Sequence, residues 1–218
     1  MKVNLLGATG AVGSALLKVL IQRPDVKQIN VIGRSNINLE NEKLIHWVHS
    51  DLKEAIALAP SADIWFCALG TTIAKAGSQD AFDYVDRKLV LEAGLKAKST
   101  GASQFHVVSA LGANPNSKVF YNRVKGQMQQ QLADLNLPSL QIYQPSLIDT
   151  DRKEERKGER IAIILFRAIS WMFVGALKRY KSVRATDIAL FMSETSKNAE
   201  NGVKIWYSEQ MQPINGRN

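Results

Sequence analysis

The stretch that most constrains the fold lies at the N-terminus, where residues 3–20 read VNLLGATGAVGSALLKVL. An apolar run ends in Gly7, Gly10 and Gly13, and alanines and leucines then follow at helical intervals. Glycine permits a tight turn and lets a ligand reach the backbone without meeting a Cβ atom. The amide groups at the start of a helix bind phosphate, and the helix dipole favours its charge. We therefore predict a strand, a phosphate-binding turn and a helix, the arrangement that binds a dinucleotide.

Short apolar runs alternate with helical patterns along the chain. Strands are predicted at residues 2–6, 28–33, 44–49, 63–68, 104–109 and 139–143, and helices at 11–22, 52–59, 81–99 and 119–136. The strand runs lack polar alternation, which is typical of parallel strands that are buried on both faces. This order predicts one α/β domain over residues 1–218, a doubly wound, mostly parallel Rossmann sheet with helices on both faces. Residues 1–148 would form its cofactor-binding core, and residues 149–218 a small C-terminal substrate lobe.

The residues after the second and third predicted strands indicate which dinucleotide binds. A carboxylate about 20 residues beyond the glycines would hold the ribose 2′-hydroxyl of NAD. Arg34 and Ser35 stand there instead, and the next acid is Glu40. A cation and a hydroxyl suit a 2′-phosphate, so NADP(H) is expected rather than NAD(H). The alternative is that Arg34 is an ordinary exposed loop residue. After the third strand, Asp51 and Leu52 are candidates to hold the adenine ring.

A candidate catalytic pair follows the fifth predicted strand. Tyr121 and Lys125 are i and i+4 on a predicted helix, so they share one face. A tyrosine with a pKa of about 10 is a poor acid–base catalyst at neutral pH, and a lysine ammonium beside it favours the phenolate. The same lysine could hold the nicotinamide ribose, and Ser109, at a strand end, could hydrogen-bond a substrate carbonyl. These roles suit hydride transfer, in which the cofactor delivers hydride to carbon and Tyr121 gives a proton to oxygen.

The Tyr-x-x-x-Lys pattern also occurs at Tyr84 and Lys88. That copy lies before the fifth predicted strand and has no serine at a strand end ahead of it. Tyr121 and Lys125 follow Ser109, so the catalytic role is assigned to them. The alternative is that they form an amphipathic surface pair with no catalytic role.

The segments GATGAVG, VVS and YNRVK, together with Arg34, resemble the short-chain dehydrogenase/reductase superfamily. CALGTT, KAGS, YVDRKLVLEAG, VVSALGA and FYNRVKGQ are more closely similar to its atypical Tat-interacting oxidoreductase-like branch, over most of residues 1–148. The resemblance implies a Rossmann fold, NADP(H) bound through the glycines, and a Ser-Tyr-Lys arrangement on Ser109, Tyr121 and Lys125. It also implies that the segment YQPSLI lines the nicotinamide end of the cofactor.

The chain departs from the superfamily pattern in three places. Asp86 or Lys88 stands in the region where many members have an asparagine that completes a proton relay. The serine position falls on Ala110 or Leu111 in an alternative alignment, and Gln144 replaces a common arginine. Members of this branch include regulators that bind cofactor without being active enzymes, so the resemblance supports the fold more strongly than turnover.

The predicted function is NADP(H)-dependent reduction of a small carbonyl compound, or the reverse oxidation. The alternative is a non-catalytic NADP(H)-binding protein that acts through a protein partner, and a third hypothesis is an enzyme docked at a membrane surface. Small residues and hydroxyls after the fourth strand, where open α/β sheets bind ligands, complete the predicted site. The predicted cofactor-binding residues are Gly7, Thr9, Gly10, Ala11, Val12, Gly13, Arg34, Ser35, Asp51, Leu52, Ala68, Leu69, Gly70, Thr71, Lys125, Pro145 and Leu147.

Charge and cysteine content narrow the partners and the location. The net charge is +8, and between Asp151 and Arg184 ten Lys and Arg face four Asp and Glu. Such a surface is solvated or attracts an anionic substrate, and a second copy or another protein is an alternative partner; nucleic acid and membrane are not expected. The apolar centre of residues 160–179 falls short of the roughly 20 residues of a membrane span and predicts a packed helix. Cys67 is the only cysteine and no secretory signal is visible, so we expect a cytoplasmic protein without a metal site.

Overall fold

The computed structural model describes residues 1–149 and 182–212 of the chain. The predicted apolar helix at 160–179 lies outside the described residues, as does all but the end of the basic stretch from Asp151 to Arg184. Within the described ranges, no helix has the length and the apolar character that a membrane span requires.

Seven parallel strands form the central sheet, in the order β3-β2-β1-β4-β5-β6-β9. A second, two-stranded parallel sheet joins β7 and β8. The strands are β1 Lys2–Leu6, β2 Gln28–Gly33, β3 Leu44–Val48, β4 Ile64–Cys67, β5 Gln104–Val108, β6 Ser139–Gln144, β7 Ile148–Asp149, β8 Val183–Arg184 and β9 Gly202–Tyr207. The predicted doubly wound α/β fold is confirmed.

Helices cover both faces of this sheet, as a parallel sheet buried on both faces requires. They are α1 Ala11–Gln22, α2 Leu52–Leu58, α3 Ile73–Ala76, α4 Gln79–Asp83, a π-helical turn Tyr84–Lys88, α5 Leu89–Ser99, α6 Phe120–Asp134 and α7 Ala185–Thr195. The single helix predicted at 81–99 is therefore three segments, α4, the π-helical turn and α5. It begins earlier than predicted because the Ser78 hydroxyl accepts a hydrogen bond from the Ala81 N–H and caps α4.

The strand order places a topological switch point between β1 and β4. From β1 the chain builds β2 and β3 on one side, and then returns to build β4, β5 and β6 on the other. Val3 on β1 pairs with Ile29 on β2 and with Ile64 on β4. Helices leave from opposite sides of the sheet at such a point, so a crevice opens beyond the carboxyl ends of the two strands. The segments that follow Leu6 and Cys67 therefore meet at one edge of the sheet.

Two apolar cores hold the layers together, one on each face of the sheet. On one face, α1 and α7 pack against each other and bury Leu16, Leu20, Ile188 and Met192. On the other face, the core includes buried residues of α2, α5 and α6, namely Ile56, Ala93 and Leu132. These periodic apolar positions follow the helical repeat that the sequence predicted.

The described part of the predicted C-terminal lobe joins the main domain. β9 pairs with β6 along its whole length, from Ser139 opposite Gly202 to Gln144 opposite Tyr207. The buried Arg23, just after α1, donates hydrogen bonds to the Ser193 carbonyl and to the Ser196 hydroxyl at the end of α7. Residues 182–212 thus complete the Rossmann sheet and its helical layer.

Candidate functional site

A cleft of about 920 Å³ opens at the switch point, beyond the carboxyl ends of β1 and β4. Ten of the predicted cofactor-binding residues line it: Gly7, Thr9, Gly10, Arg34, Asp51, Leu52, Ala68, Leu69, Gly70 and Thr71. Seven further lining residues were not predicted: Ser50, Lys75, Ala76, Ala81, Tyr84, Val85 and Leu89. Among the lining residues in the described ranges, the predicted Ala11, Val12, Gly13, Ser35, Lys125, Pro145 and Leu147 are absent.

The glycines of the first turn have three different structural roles. Gly7 adopts a positive φ of 81°, and a Cβ atom there would lie 2.5 Å from the Ala68 carbonyl oxygen. At Gly13 a Cβ atom would lie 2.0 Å from the Gly7 carbonyl oxygen, so its absence lets α1 rest on the turn. At Gly10 the nearest atom to a Cβ would be the Gly7 carbonyl oxygen at 3.3 Å. Gly7 and Gly10 both line the cleft, and of these two only Gly10 could take a Cβ atom without a backbone collision.

The start of α1 is open to an anion. The N-cap residue is Gly10, which has no side chain that could cap the helix. The first turn also contains no acidic residue that would neutralise the helix start. The first amide groups of a helix have no acceptor inside the helix, and they carry the positive end of its dipole. Because Gly10 lines the cleft, these donors face a ligand placed there.

Two cations lie at the cleft beyond the glycine turn. Arg34 follows β2, Lys75 lies on α3, and both side chains are exposed. No ion pair to another described residue engages either of them. Asp51 lines the same region, but its carboxylate caps α2 by accepting a hydrogen bond from the Lys53 N–H at 2.9 Å. A ligand phosphate would therefore meet unpaired positive charge here.

Lys125 of the predicted catalytic pair forms a buried ion pair with Asp86, one of the residues at which the chain departs from the superfamily pattern. Lys125 is 4% exposed, and its Nζ lies 2.8 Å from Oδ1 of Asp86, which is 1% exposed. Asp86 sits in the π-helical turn, and its Oδ2 accepts a hydrogen bond from the Thr71 N–H at 2.9 Å. Thr71 lines the cleft, so one carboxylate connects the cleft wall to the lysine.

Tyr121 lies in the first turn of α6, with its ring 5.4 Å from that of Phe82 on α4. Burial raises the pKa of Tyr121, the Lys125 ammonium opposes that shift, and the Asp86 carboxylate adds to it. Burial would lower the pKa of Lys125, but Asp86 and Tyr121 outweigh it and raise that pKa. The phenol is therefore neutral and the lysine charged at neutral pH. This state can donate a proton from Tyr121.

Ser109 stands at the carboxyl end of β5 inside a chain of side-chain hydrogen bonds. The Gln144 amide donates to Gln129 Oε1, at 3.0 Å, and the Gln129 amide donates to the Ser109 hydroxyl oxygen. All three residues are buried. Because Ser109 Oγ is already an acceptor, its own O–H is available to donate to a carbonyl oxygen.

Two other candidate groups have structural explanations. Tyr84 and Lys88, the second copy of the tyrosine–lysine pattern, are exposed on the π-helical turn, where Lys88 pairs with Asp83 at 3.8 Å. His106 is buried between the Tyr143 hydroxyl and the Gln104 side chain, each 2.8 Å from a ring nitrogen. Burial lowers the pKa of His106 to about 3, with Arg23 contributing, so the ring stays neutral.

The site residues that the sequence did not predict differ in whether a local sequence pattern could have identified them. Lys75 is a cation four residues after Thr71, which the sequence had already predicted to bind the cofactor. Its charge could have identified it. Gln129 and Asp86 carry no such local signal, because their partners lie on other elements of the fold.

Comparisons with known proteins agree with this geometry. The family model described as "Semialdehyde dehydrogenase, NAD binding domain" matches residues 2–84. Protein HTATIP2 from Rattus norvegicus is 33% identical over 190 residues, which cover 84% of this chain and 78% of that protein. Protein FMP52-1, mitochondrial, from Scheffersomyces stipitis is 29% identical over 220 residues, which cover 98% and 93%.

A solved structure shows the same fold. It is an oxidoreductase of the short chain dehydrogenase/reductase family from Burkholderia thailandensis, with a TM-score of 0.68 at 13% identity, covering 96% of this chain and 92% of that one. The predicted family resemblance is confirmed, and the chain has an NAD(P)-binding, oxidoreductase-like Rossmann fold.

The relatives correct the predicted cytoplasmic location. FMP52 proteins from Scheffersomyces stipitis, Coccidioides immitis and Candida albicans are named mitochondrial, which contradicts the cytoplasmic location predicted for this chain. The sequence argument failed because a low cysteine count argues only against an oxidising compartment. It does not distinguish the remaining compartments from one another.

Proposed function

Because this chain belongs to the HTATIP2 family, we propose that it is an NADP(H)-dependent oxidoreductase that reduces a small carbonyl compound. The observation that carries the proposal is the cleft at the switch point, where a glycine turn and an open helix start meet two unpaired cations. One wall of this cleft, at Thr71, is hydrogen-bonded to the carboxylate that pairs with Lys125.

The shape and charge of the cleft fit a dinucleotide phosphate. Gly10 offers close backbone approach, and the first amides of α1 offer donors for the pyrophosphate. Arg34 and Lys75 would hold the 2′-phosphate of NADP, since a forked guanidinium and an ammonium both bind phosphate. Leu52 and Leu69 would hold the adenine end.

The acid–base group would protonate the substrate. When bound, the reduced nicotinamide supplies the hydride to the carbonyl carbon. The Ser109 hydroxyl, already accepting from Gln129, would donate a hydrogen bond to the carbonyl oxygen. Tyr121 would give its phenolic proton to that oxygen, and Lys125 would stabilise the phenolate that remains.

Calorimetric titration of NADPH and NADH into the purified protein tests the cofactor assignment. We expect NADPH to bind more tightly than NADH. Arg34→Ala should weaken NADPH binding about tenfold or more, because a charge-assisted hydrogen bond contributes about 1.5–3 kcal/mol and about 1.4 kcal/mol corresponds to tenfold. NADH binding should not change. Lys98→Ala, which removes an exposed cation of α5 outside the cleft lining, is the matched control. Equal affinities for the two cofactors would contradict the role of Arg34.

A non-catalytic NADP(H)-binding regulator is the second candidate. One observation favours it: Ser109, Tyr121 and Lys125 are absent from the cleft lining within the described residues. Tyr121→Phe separates the two functions. An enzyme should lose carbonyl reduction and keep NADPH binding, whereas a regulator should bind cofactor and partner as before. Carbonyl reduction that survives in Tyr121→Phe would rule out the proton-donor role.

A further inference from the structure

The clearest group with no assigned role is the Asp86 carboxylate. It is among the most deeply buried charges of the described residues, and it sits in a π-helical turn, a local feature that is frequent at functional sites. Its two oxygens face in two directions. Oδ1 lies 2.8 Å from Lys125 Nζ, and Oδ2 accepts the Thr71 N–H at 2.9 Å.

This geometry is demanding to maintain. A buried carboxylate or ammonium is strongly destabilising unless an opposite charge and hydrogen bonds compensate it. Asp86 compensates Lys125 directly and uses its second oxygen on the backbone of the loop after β4. Gly70 adds a spatial constraint, since a Cβ atom there would lie 3.4 Å from Asp86 Oδ1. The loop, the π-helical turn and α6 are therefore fixed to one another at this carboxylate.

We propose that Asp86 is a positioning residue that holds the Lys125 ammonium against the cofactor loop, on the helix face that Lys125 shares with Tyr121. The inference rests on the proposed function, because it assigns a role within the same acid–base group. The positive charge of Lys125, which favours the tyrosinate, is balanced by this carboxylate. During reduction the O–H bond of Tyr121 breaks and a new O–H bond forms on the substrate oxygen.

The charged groups around Tyr121 support this assignment. Lys125, on the same helix, favours the phenolate, and Asp86, on the π-helical turn, opposes it. Cys67, at the end of β4, faces the same pair, and burial raises its thiol pKa to about 11, so it is neutral. Phe82 supplies only an apolar ring. Asp86 is thus the one negative charge in this group at neutral pH.

The test follows the ionisation of Tyr121 by the ultraviolet absorbance of tyrosinate. The difference between the wild-type titration and that of Tyr121→Phe isolates this side chain from the other four tyrosines. Asp86→Asn, measured in the same way against a double variant that also carries Tyr121→Phe, should move the ionisation to lower pH. The reason is that Lys125 then acts on Tyr121 without an opposing charge. An unchanged or higher ionisation pH in a folded Asp86→Asn protein overturns the proposal.

Asp83→Asn is the matched control. It removes a carboxylate just before the same turn, one whose charge is already paired with Arg87 and Lys88. Its Tyr121 titration should match the wild type, and a shift as large as that of Asp86→Asn overturns the assignment. If Asp86→Asn does not fold, Asp86→Asn/Lys125→Met decides. This double variant leaves no unpaired buried ammonium and should fold; if it is no more stable than Asp86→Asn, the pairing is refuted.

The titration needs neither cofactor nor substrate, so it separates the two proposals. Lack of NADPH binding overturns the proposed function and leaves the Tyr121 titration interpretable. Intact NADPH binding with no titration shift in Asp86→Asn overturns the role of Asp86 alone. With a carbonyl substrate, the reduction rate of Asp86→Asn should decline at lower pH than that of the wild type.

Discussion

Two alanine substitutions in the same turn should affect different properties, one the stability of the fold and the other the affinity for NADPH. Gly10→Ala and Gly13→Ala make the same chemical change three residues apart. At Gly13 the new Cβ atom would lie 2.0 Å from the Gly7 carbonyl oxygen and 2.6 Å from its carbonyl carbon. At Gly10 it would lie 3.3 Å from the Gly7 carbonyl oxygen and 3.9 Å from that of Ala68. The first is a backbone collision, and the second is a close contact that a small shift relieves.

The magnitude for Gly13→Ala follows from the collision. Ordinary contact requires 3.4 Å, so α1 and the turn must separate by about 1.4 Å. Overpacking of this kind costs about 3 kcal/mol at the upper end of its usual range. The better helix propensity of alanine returns about 1 kcal/mol. The net destabilisation is about 2 kcal/mol, which for a chain of this size lowers Tm by about 4–8 °C.

Gly10→Ala should change the free energy of unfolding little and the NADPH affinity strongly. Alanine is a poorer N-cap than glycine by about 0.5 kcal/mol, but it reduces the entropy of the unfolded chain by a comparable amount. The free energy of unfolding should therefore change by less than about 0.5 kcal/mol. The methyl group occupies the path of the pyrophosphate, so NADPH affinity should fall at least about tenfold.

Thermal and urea denaturation measure the first quantity, and calorimetric titration of NADPH measures the second. Because each variant is the control for the other, a general loss of folding cannot imitate the expected pattern. The reasoning is refuted if Gly13→Ala is as stable as the wild type, or if Gly10→Ala binds NADPH with unchanged affinity.

Two further predictions concern other parts of the fold. The hydrogen bond from Arg23 lowers the pKa of Asp25 from 3.8 to about 2. Because the pKa is lower in the folded protein, ionised Asp25 stabilises the protein above pH 3.8. This contribution is lost as the pH falls towards 2. Urea denaturation should show Asp25→Asn slightly less stable than the wild type at neutral pH and equally stable near pH 2. The difference in stability should be small because the Asp25 side chain is partly exposed. A difference that persists in acid would contradict the assignment. Gln129→Leu removes the donor to Ser109 and leaves the buried Gln144 amide unpaired, which should cost about 1–3 kcal/mol of stability. The rate of carbonyl reduction should also fall while NADPH affinity is kept, and an unchanged rate would show that Ser109 needs no positioning.

Local sequence patterns were sufficient to predict the cofactor-binding part of the site. The β1 strand, the glycine turn and α1 are encoded within residues 2–22, where apolar period and glycine spacing are read directly from neighbouring positions. Arg34 and Thr71 could be placed at the cleft because parallel strands present their carboxyl ends at one edge of the sheet. Lys75 also lines this cleft, and its charge four residues after Thr71 is a local signal of the same kind.

The acid–base group could be predicted only in part. Tyr121 and Lys125 share a helix face, which their spacing along one helix dictates. The partner of Lys125 could not be derived, since the sequence indicated only that Asp86 or Lys88 stands in the region of the superfamily's relay asparagine. The structure distinguishes them, because Asp86 is buried against Lys125 whereas Lys88 is exposed.

The sequence by itself determined the order of strands and helices, the phosphate-binding turn and the sign of the charge at the cofactor cleft. These features depend on residues close together in the chain, and glycine spacing and apolar period record them. Only the tertiary structure decided that Asp86 neutralises Lys125, that Gln129 orients Ser109, and that β9 completes the sheet. Those contacts join elements far apart in sequence, and burial, which makes an unpaired charge or amide costly, appears only when the layers are packed together.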